Sequence, residues 1–265
     1  MTSEDPSRLI LASRSPRRRQ LLAEAGYRFE VIPPDDDAEG PPEPGESPQR
    51  HVARLAEAKA GDVVRRIASE RPDLLDPRDR PAPNVTYFTL PRGGSDTVVA
   101  GEGCEKPSSS RDLPSPLVPR DPSGGRVKSK VMPKVTGIGP PPLVLGCDTV
   151  AECDGTILGK PRDQDHAREI LLRLSGREHR VFSGVCLWPI GDSPPVVRVA
   201  ETRLRMDRLS AKQLDEYLAT GQWQGKAGAF GYQDRIGWVH VIEGSESNVV
   251  GLPMELLAEM LGAVK

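Results

Sequence analysis

The chain has 265 residues, a formal net charge of −2, and 28% charged residues. That length buries a full core, and the near-neutral balance gives no global pull toward nucleic acid or anionic lipid. No apolar run reaches the ~20 residues that a membrane helix needs. Residues 9–12 (LILA) predict a short buried strand. Residues 15–25 predict a helix with Ser15 as N-cap and Pro16 at the first position, where proline is favoured. A strand over 29–32 follows. Residues 47–69 predict a long helix, with Val52, Leu55, Ala56, Val63 and Ile67 at helical spacing.

The character then changes. Between positions 72 and 142 lie 14 of the 27 prolines, with Gly-Gly and Ser-Ser-Ser runs. Too little apolar side chain is present there to offset the entropy of ordering. The segment is expected to be a mostly disordered insertion in one domain spanning 1–265. Order resumes with a buried strand over 143–147. Asp154-Gly155 is a hairpin turn signal. A helix over 165–174, strands over 180–188 and 196–206, and a helix opened by the Ser210–Gln213 capping box come next. A strand over 238–242 and a helix over 253–263 complete the chain. Strands and helices mix without strict alternation, which argues for an α/β or α+β fold on a mixed sheet and against a doubly wound one.

The early acidic pair and short apolar run near the start predict no secretory leader. Cys104, Cys147, Cys153 and Cys186 form no CxxC pair, which fits free thiols in a reducing cytoplasmic setting.

Two features point to an anion. Arg17, Arg18 and Arg19 fall in the first turn of the 15–25 helix, where the dipole favours negative charge. Either they pair with acids such as Asp35, Asp36 and Asp37, or they join the helix N-terminus in holding a phosphate. Lys59 falls inside the apolar stripe of the 47–69 helix. It must snorkel out or meet an anion in a cleft.

A phrase occurs twice: GSDTVVAGEGCEKP at 94–107 and GCDTVAECDGTILGKP at 146–161. Only the second follows a predicted strand, turns through a hairpin signal and leads into a helix. The second is therefore expected to be the working copy, with Asp148 and not Asp96 as its acid.

The motifs SRSPRR at 13–18, LAEAKA at 55–60, GCDTV at 146–150, GKP at 159–161, LSG at 174–176, KAGAFGYQ at 226–233 and NVVGLP at 248–253 occur in an order that resembles the Maf family of nucleoside triphosphate pyrophosphatases. The resemblance covers roughly 8–69 and 143–263. It implies a two-lobed α/β fold related to inosine triphosphate pyrophosphatases, with a nucleotide cleft between lobes and a divalent cation, Mg2+ or Mn2+. The implied reaction converts a nucleoside triphosphate to the monophosphate and pyrophosphate. Ser13, Arg17, Arg18, Lys59, Lys160 and Lys226 would hold the phosphates. Asp148 would be the proton acceptor and, with Asp37, a metal ligand.

Arg17, Thr149 and Gln233 match the positions that mark the dTTP/UTP type. The Gln233 amide carries the donor and acceptor that a uracil or thymine edge requires. The alternatives are 7-methyl-GTP or another base as substrate, and, in another class, a regulator of septum formation that binds a partner. The resemblance also implies a homodimer, while the charge balance and the lack of a long apolar run lead to the expectation of no stable nucleic-acid binding and no membrane. Two departures stand out: the second acid of the family's acidic pair falls one place late, at Glu39, and Gln222-Trp223-Gln224-Gly225 precedes the KAGAFG loop in place of the commoner pattern.

Overall fold

The computed structural model describes residues 9–71, 141–234 and 237–263. Nearly all of the expected insertion, including the phrase at 94–107, lies outside the described residues. The order is β1 (Leu9–Ala12), α1 (Pro16–Glu24), β2 (Glu30–Val31), a 3-10 turn (Asp36–Ala38), α2 (Pro48–Glu70), β3 (Leu143–Cys153), β4 (Thr156–Leu158), α3 (Gln164–Leu174), β5 (Glu178–Pro189), β6 (Val196–Met206), α4 (Ala211–Ala219), two 3-10 turns (Ala227–Ala229 and Tyr232–Asp234), β7 (Val239–Glu243), α5 (Glu246–Val250) and α6 (Met254–Ala263).

The strands form one mixed seven-stranded sheet in the order β2-β1-β3-β5-β6-β7, with β4 also paired to β3. β1 runs parallel to β2 and β3, and the other pairings are antiparallel. This is the expected α/β mixed sheet. β3 is twice as long as the sequence reading of 143–147, because β5 pairs with it without interruption from Leu143 to Glu152.

The length of β3 lets it serve two separate hydrophobic clusters. Side chains alternate across a strand, and on one face Leu145 and Cys147 enter a core with Leu9, Leu11, Leu22, Leu187 and Leu257. Further along the same face, Ala151 and Cys153 enter a second core with Leu171, Leu174, Leu204, Leu214 and Trp238. Asp148 and Thr149, half-buried, fall between the two.

The other face of β3 carries α2. Ser47 caps the helix by accepting from Arg50 N at 3.2 Å, an interaction worth about 1 kcal/mol. Ala56, Ala60, Val63 and Ile67 pack against Ile10, Val144 and Cys186. The helix lies unusually close to the sheet. A Cβ on Gly146 would collide with the Ala56 carbonyl oxygen, and one on Gly184 with that of Val52. Gly184 is the register partner of Asp148, so this contact lies beside the acid.

His179 and Tyr217, in or beside the second core, bury polar atoms that have no hydrogen-bond partner among the described residues. His179 is 3% exposed, and neither ring nitrogen has a hydrogen-bond partner among the described residues. Its ring meets Phe230 edge-on at 5.4 Å. Burial pushes its pKa down to about 4.

Two consequences are measurable. Gly184→Ala should lower unfolding free energy by about 2 kcal/mol or more, because the obstruction is backbone and cannot rotate away. Gly262→Ala, where a Cβ meets nothing within 4 Å, should be neutral or slightly stabilising; equal effects in urea unfolding would remove the close-packing argument. For His179, the unfolded chain binds the proton more readily than the folded one. The stability from keeping the ring neutral is present above the ordinary value of 6.5 and lost as pH falls toward about 4, on the order of 3 kcal/mol. His179→Phe should flatten the stability profile between those pH values; an unchanged slope would place the acid sensitivity elsewhere.

Candidate active site

β3 has a neighbour on each side for most of its length. On the β1 side the pairing ends at Ala12 with Gly146. On that same side β4 begins to pair only at Ala151. Residues 147–150 therefore border a notch in the sheet. At a strand edge, side chains from both faces can reach the same space. A cavity of about 250 Å3 sits at the notch, lined by Ser13, Arg17, Arg18, Lys59, Asp148 and Thr149 among others.

The chain leaves β1 into this cavity. Ser13 is buried, and its Oγ accepts from Ser15 N at 3.1 Å and from Arg18 Nη1 at 3.2 Å. Ser15 occupies the N-cap position of α1 as expected, but its side chain makes no capping hydrogen bond. Arg18 turns inward: Nε donates to the Gly251 carbonyl at 2.8 Å and Nη2 to Thr149 Oγ1 at 3.2 Å. Gly251, at φ 129°, can present that carbonyl where a residue with a Cβ would be strained. Asn248 anchors the turn leading to it, donating to the Val181 carbonyl at 3.1 Å and Thr202 Oγ1 at 2.9 Å.

Arg17 lines the cavity and donates to the Gly225 carbonyl at 3.2 Å. Burial, then the neighbouring Arg18, press its guanidinium below the ordinary value. Such a group is favoured by any anion that enters. Arg19 is exposed. The acidic run at Asp35–Asp37 pairs with other arginines, Asp36 with Arg14 and Asp35 with Arg66, so Arg17 and Arg18 are not absorbed by it.

Lys59 meets anions and does not snorkel. Its side chain is only 4% exposed, with Nζ 2.7 Å from Asp148 Oδ1 and 3.1 Å from Glu39 Oε1. The nearness of α2 to β3 makes this reach possible. Lys160, delivered by the β3–β4 hairpin and 61% exposed, lies 3.6 Å from Glu39 Oε2. Burial raises the Glu39 carboxyl, but the ammonium groups of Lys59 and Lys160 outweigh it and hold the pKa below the usual range.

The structure thus brings together Ser13, Arg17, Arg18, Lys59, Asp148, Thr149 and Lys160. It does not bring Asp37 to the cavity: that residue is exposed on the 3-10 turn. The acid that arrives is Glu39, which sequence reading treated as a displaced second acid. The turn at Asp36–Ala38 carries the chain around so that the residue one place later faces Lys59. Lys226 is nearly buried and paired with Asp234 outside the cavity lining. Gln233 is exposed on the Tyr232–Asp234 turn and is likewise outside the lining. Their loop still borders the site through Gly225, Ala227 and Phe230, and Gly228 N ties it to the Gly159 carbonyl at 3.2 Å.

The donor set suits a divalent cation of the Mg2+ type. Among the described residues no group of three or more His, Cys, Asp and Glu converges, so the chain builds no all-protein cage. Two carboxylates, Asp148 and Glu39, do meet at one ammonium. Mg2+ is typically held by one or two carboxylates together with substrate phosphates.

Comparisons with known proteins identify the family. The family described as "Maf-like protein" matches residues 8–117 and 125–264. That match extends into 72–142, beyond the two ordered parts on which the sequence resemblance rests. A dTTP/UTP pyrophosphatase from Rhodopirellula baltica is 42% identical over 260 residues, covering 98% of this chain and 83% of its own. Proteins of the same name from Syntrophotalea carbinolica and Geotalea uraniireducens are 33% and 32% identical. Each alignment covers 98% of this chain, with 87% and 94% of the relative respectively. A family match over most of the length, with relatives 32% to 42% identical across 98% of the chain, leads to one conclusion: this chain belongs to the Maf-like protein family.

Proposed function

We propose that this chain hydrolyses dTTP and UTP to the monophosphate and pyrophosphate. The observation that carries the reading is the pairing of Asp148 with Lys59 inside a cavity lined by Arg17 and Arg18. The relatives named dTTP/UTP pyrophosphatase support the choice of substrate.

The arrangement suits attack by water on a phosphoric anhydride. Negative charge shifts to the leaving pyrophosphate during cleavage, and preorganised cations in a partly closed site stabilise it. Arg17, Arg18, Lys59 and Lys160 supply those cations. Asp148 Oδ1 accepts from Lys59 at 2.7 Å, while Oδ2 has no hydrogen-bond partner among the described residues and can take the proton of a water. General-base help of this kind is worth roughly 10²–10⁴ in rate. Asp148 and Glu39 would hold Mg2+ or Mn2+, whose chemistry when bound is charge stabilisation on phosphate oxygens. Arg17 and Thr149 lie in the cavity, where they can discriminate among nucleotides. Gln233 would contribute to base choice from the Tyr232–Asp234 turn.

We place the activity in a cytosolic nucleotide pool. Cys147, Cys153 and Cys186 are free and buried, as suits a reducing compartment. No helix among the described residues is long and apolar enough to cross a membrane.

Pyrophosphate release over a panel of nucleotides tests the substrate assignment. dTTP and UTP should turn over with Mg2+ or Mn2+ present, and 7-methyl-GTP should not. Turnover of 7-methyl-GTP with dTTP and UTP inert would overturn the assignment while leaving the reaction class in place.

A further inference from the structure

The Lys59 ammonium already occupies the space between the two carboxylates proposed to hold the metal, 2.7 Å from Asp148 and 3.1 Å from Glu39. Lys160 adds a second positive group at Glu39. These four charges sum to zero, and Arg17 and Arg18 make the rest of the cavity positive. Asp35, the remaining acid in the lining, faces Arg66 at 3.5 Å. A free divalent cation therefore meets no net negative charge. It would also have to displace an ammonium whose stem is fixed: Lys59 is 4% exposed and sits on the helix that touches the sheet backbone at Gly146 and Gly184.

We infer that Lys59 is a built-in counter-ion that denies Asp148 and Glu39 to free divalent metal, so that the cation enters only as its complex with a nucleoside triphosphate. The phosphates supply the negative charge that the cavity lacks. They also give the Lys59 ammonium a partner that offsets what it loses when a carboxylate turns to the metal. A buried charge without a partner costs several kcal/mol, so this exchange couples metal entry to nucleotide entry. The inference rests on the reading of Asp148 and Glu39 as the metal-binding pair.

The test uses the full chain, Mn2+ and α,β-methylene-UTP, which cannot be cleaved at the scissile bridge. Water-proton relaxation enhancement reports Mn2+ immobilised on protein. The wild type should show no enhancement with Mn2+ alone in the sub-millimolar range, and a clear enhancement when the analogue is added. Lys59→Met should bind Mn2+ alone with an affinity gain of roughly tenfold or more. Asp148→Asn in the Lys59→Met background should lose that gain. Mn2+ binding by the nucleotide-free wild type as tight as by Lys59→Met, or no gain in a folded Lys59→Met, would overturn the counter-ion role. If calorimetry shows the analogue bound to the wild type without immobilising Mn2+, the metal-pair reading itself fails. Lys59→Gln serves if the methionine variant does not fold, and the wild-type comparison with and without analogue decides if neither does.

Discussion

The contact on which the rest depends is that of helix α2 with the backbone of β3 and β5. At Gly146 and Gly184 the helix carbonyls occupy the space a side chain would need. This approach lets Lys59 reach across to Asp148 and remain almost wholly buried. A helix held one methyl group further out would carry its ammonium away from the strand edge. The glycines are thus as much part of the site as the charged residues, although neither presents a functional group. Small side chains along α2, Ala56 and Ala60, complete the same surface.

The second determinant is an interruption in the sheet. β3 and β5 pair without a break, so the scaffold is stiff where the acid sits. On its other side β3 loses β1 at Gly146 and gains β4 at Ala151. The gap is where polar residues can emerge from an otherwise apolar strand without forfeiting the core on either side. Asp148 and Thr149 emerge there toward opposite faces. One meets Lys59 of α2 and the other meets Arg18 of α1. Two helices from different parts of the chain are thereby joined at one strand position.

Much of this was legible in the sequence. Strand and helix order followed from periodicity and caps, and the capping box at Ser210 and Gln213 forms as read, with both reciprocal hydrogen bonds. The misfit of Lys59 in an apolar stripe was a reliable sign of a buried anionic partner. The full length of β3 was not legible, because Asp148, Thr149 and Glu152 break the apolar run that a buried strand normally shows. Their burial is conferred by pairing with β5, a non-local contact that no short window contains. Glu39 was passed over for Asp37 because spacing alone does not reveal which way a 3-10 turn rotates the chain. Lys226 read as a free cation for the same reason: its partner Asp234 is brought close by the fold of the intervening loop. Residues 72–140 lie outside the described structure, so the reading of that stretch stands as an expectation.

Burying an ammonium between two carboxylates is costly in desolvation, and such pairs seldom add net stability. Its presence here points to chemistry, and in the proposed function Asp148 is the group that accepts a proton from water. Asp148→Asn is the sharpest probe, since the amide keeps the shape and can still accept from Lys59. Single-turnover pyrophosphate release from dTTP should fall about a hundredfold or more, while binding of a non-hydrolysable analogue stays within about tenfold. Turnover by that variant near the wild-type rate would contradict the account and move the proton acceptor elsewhere.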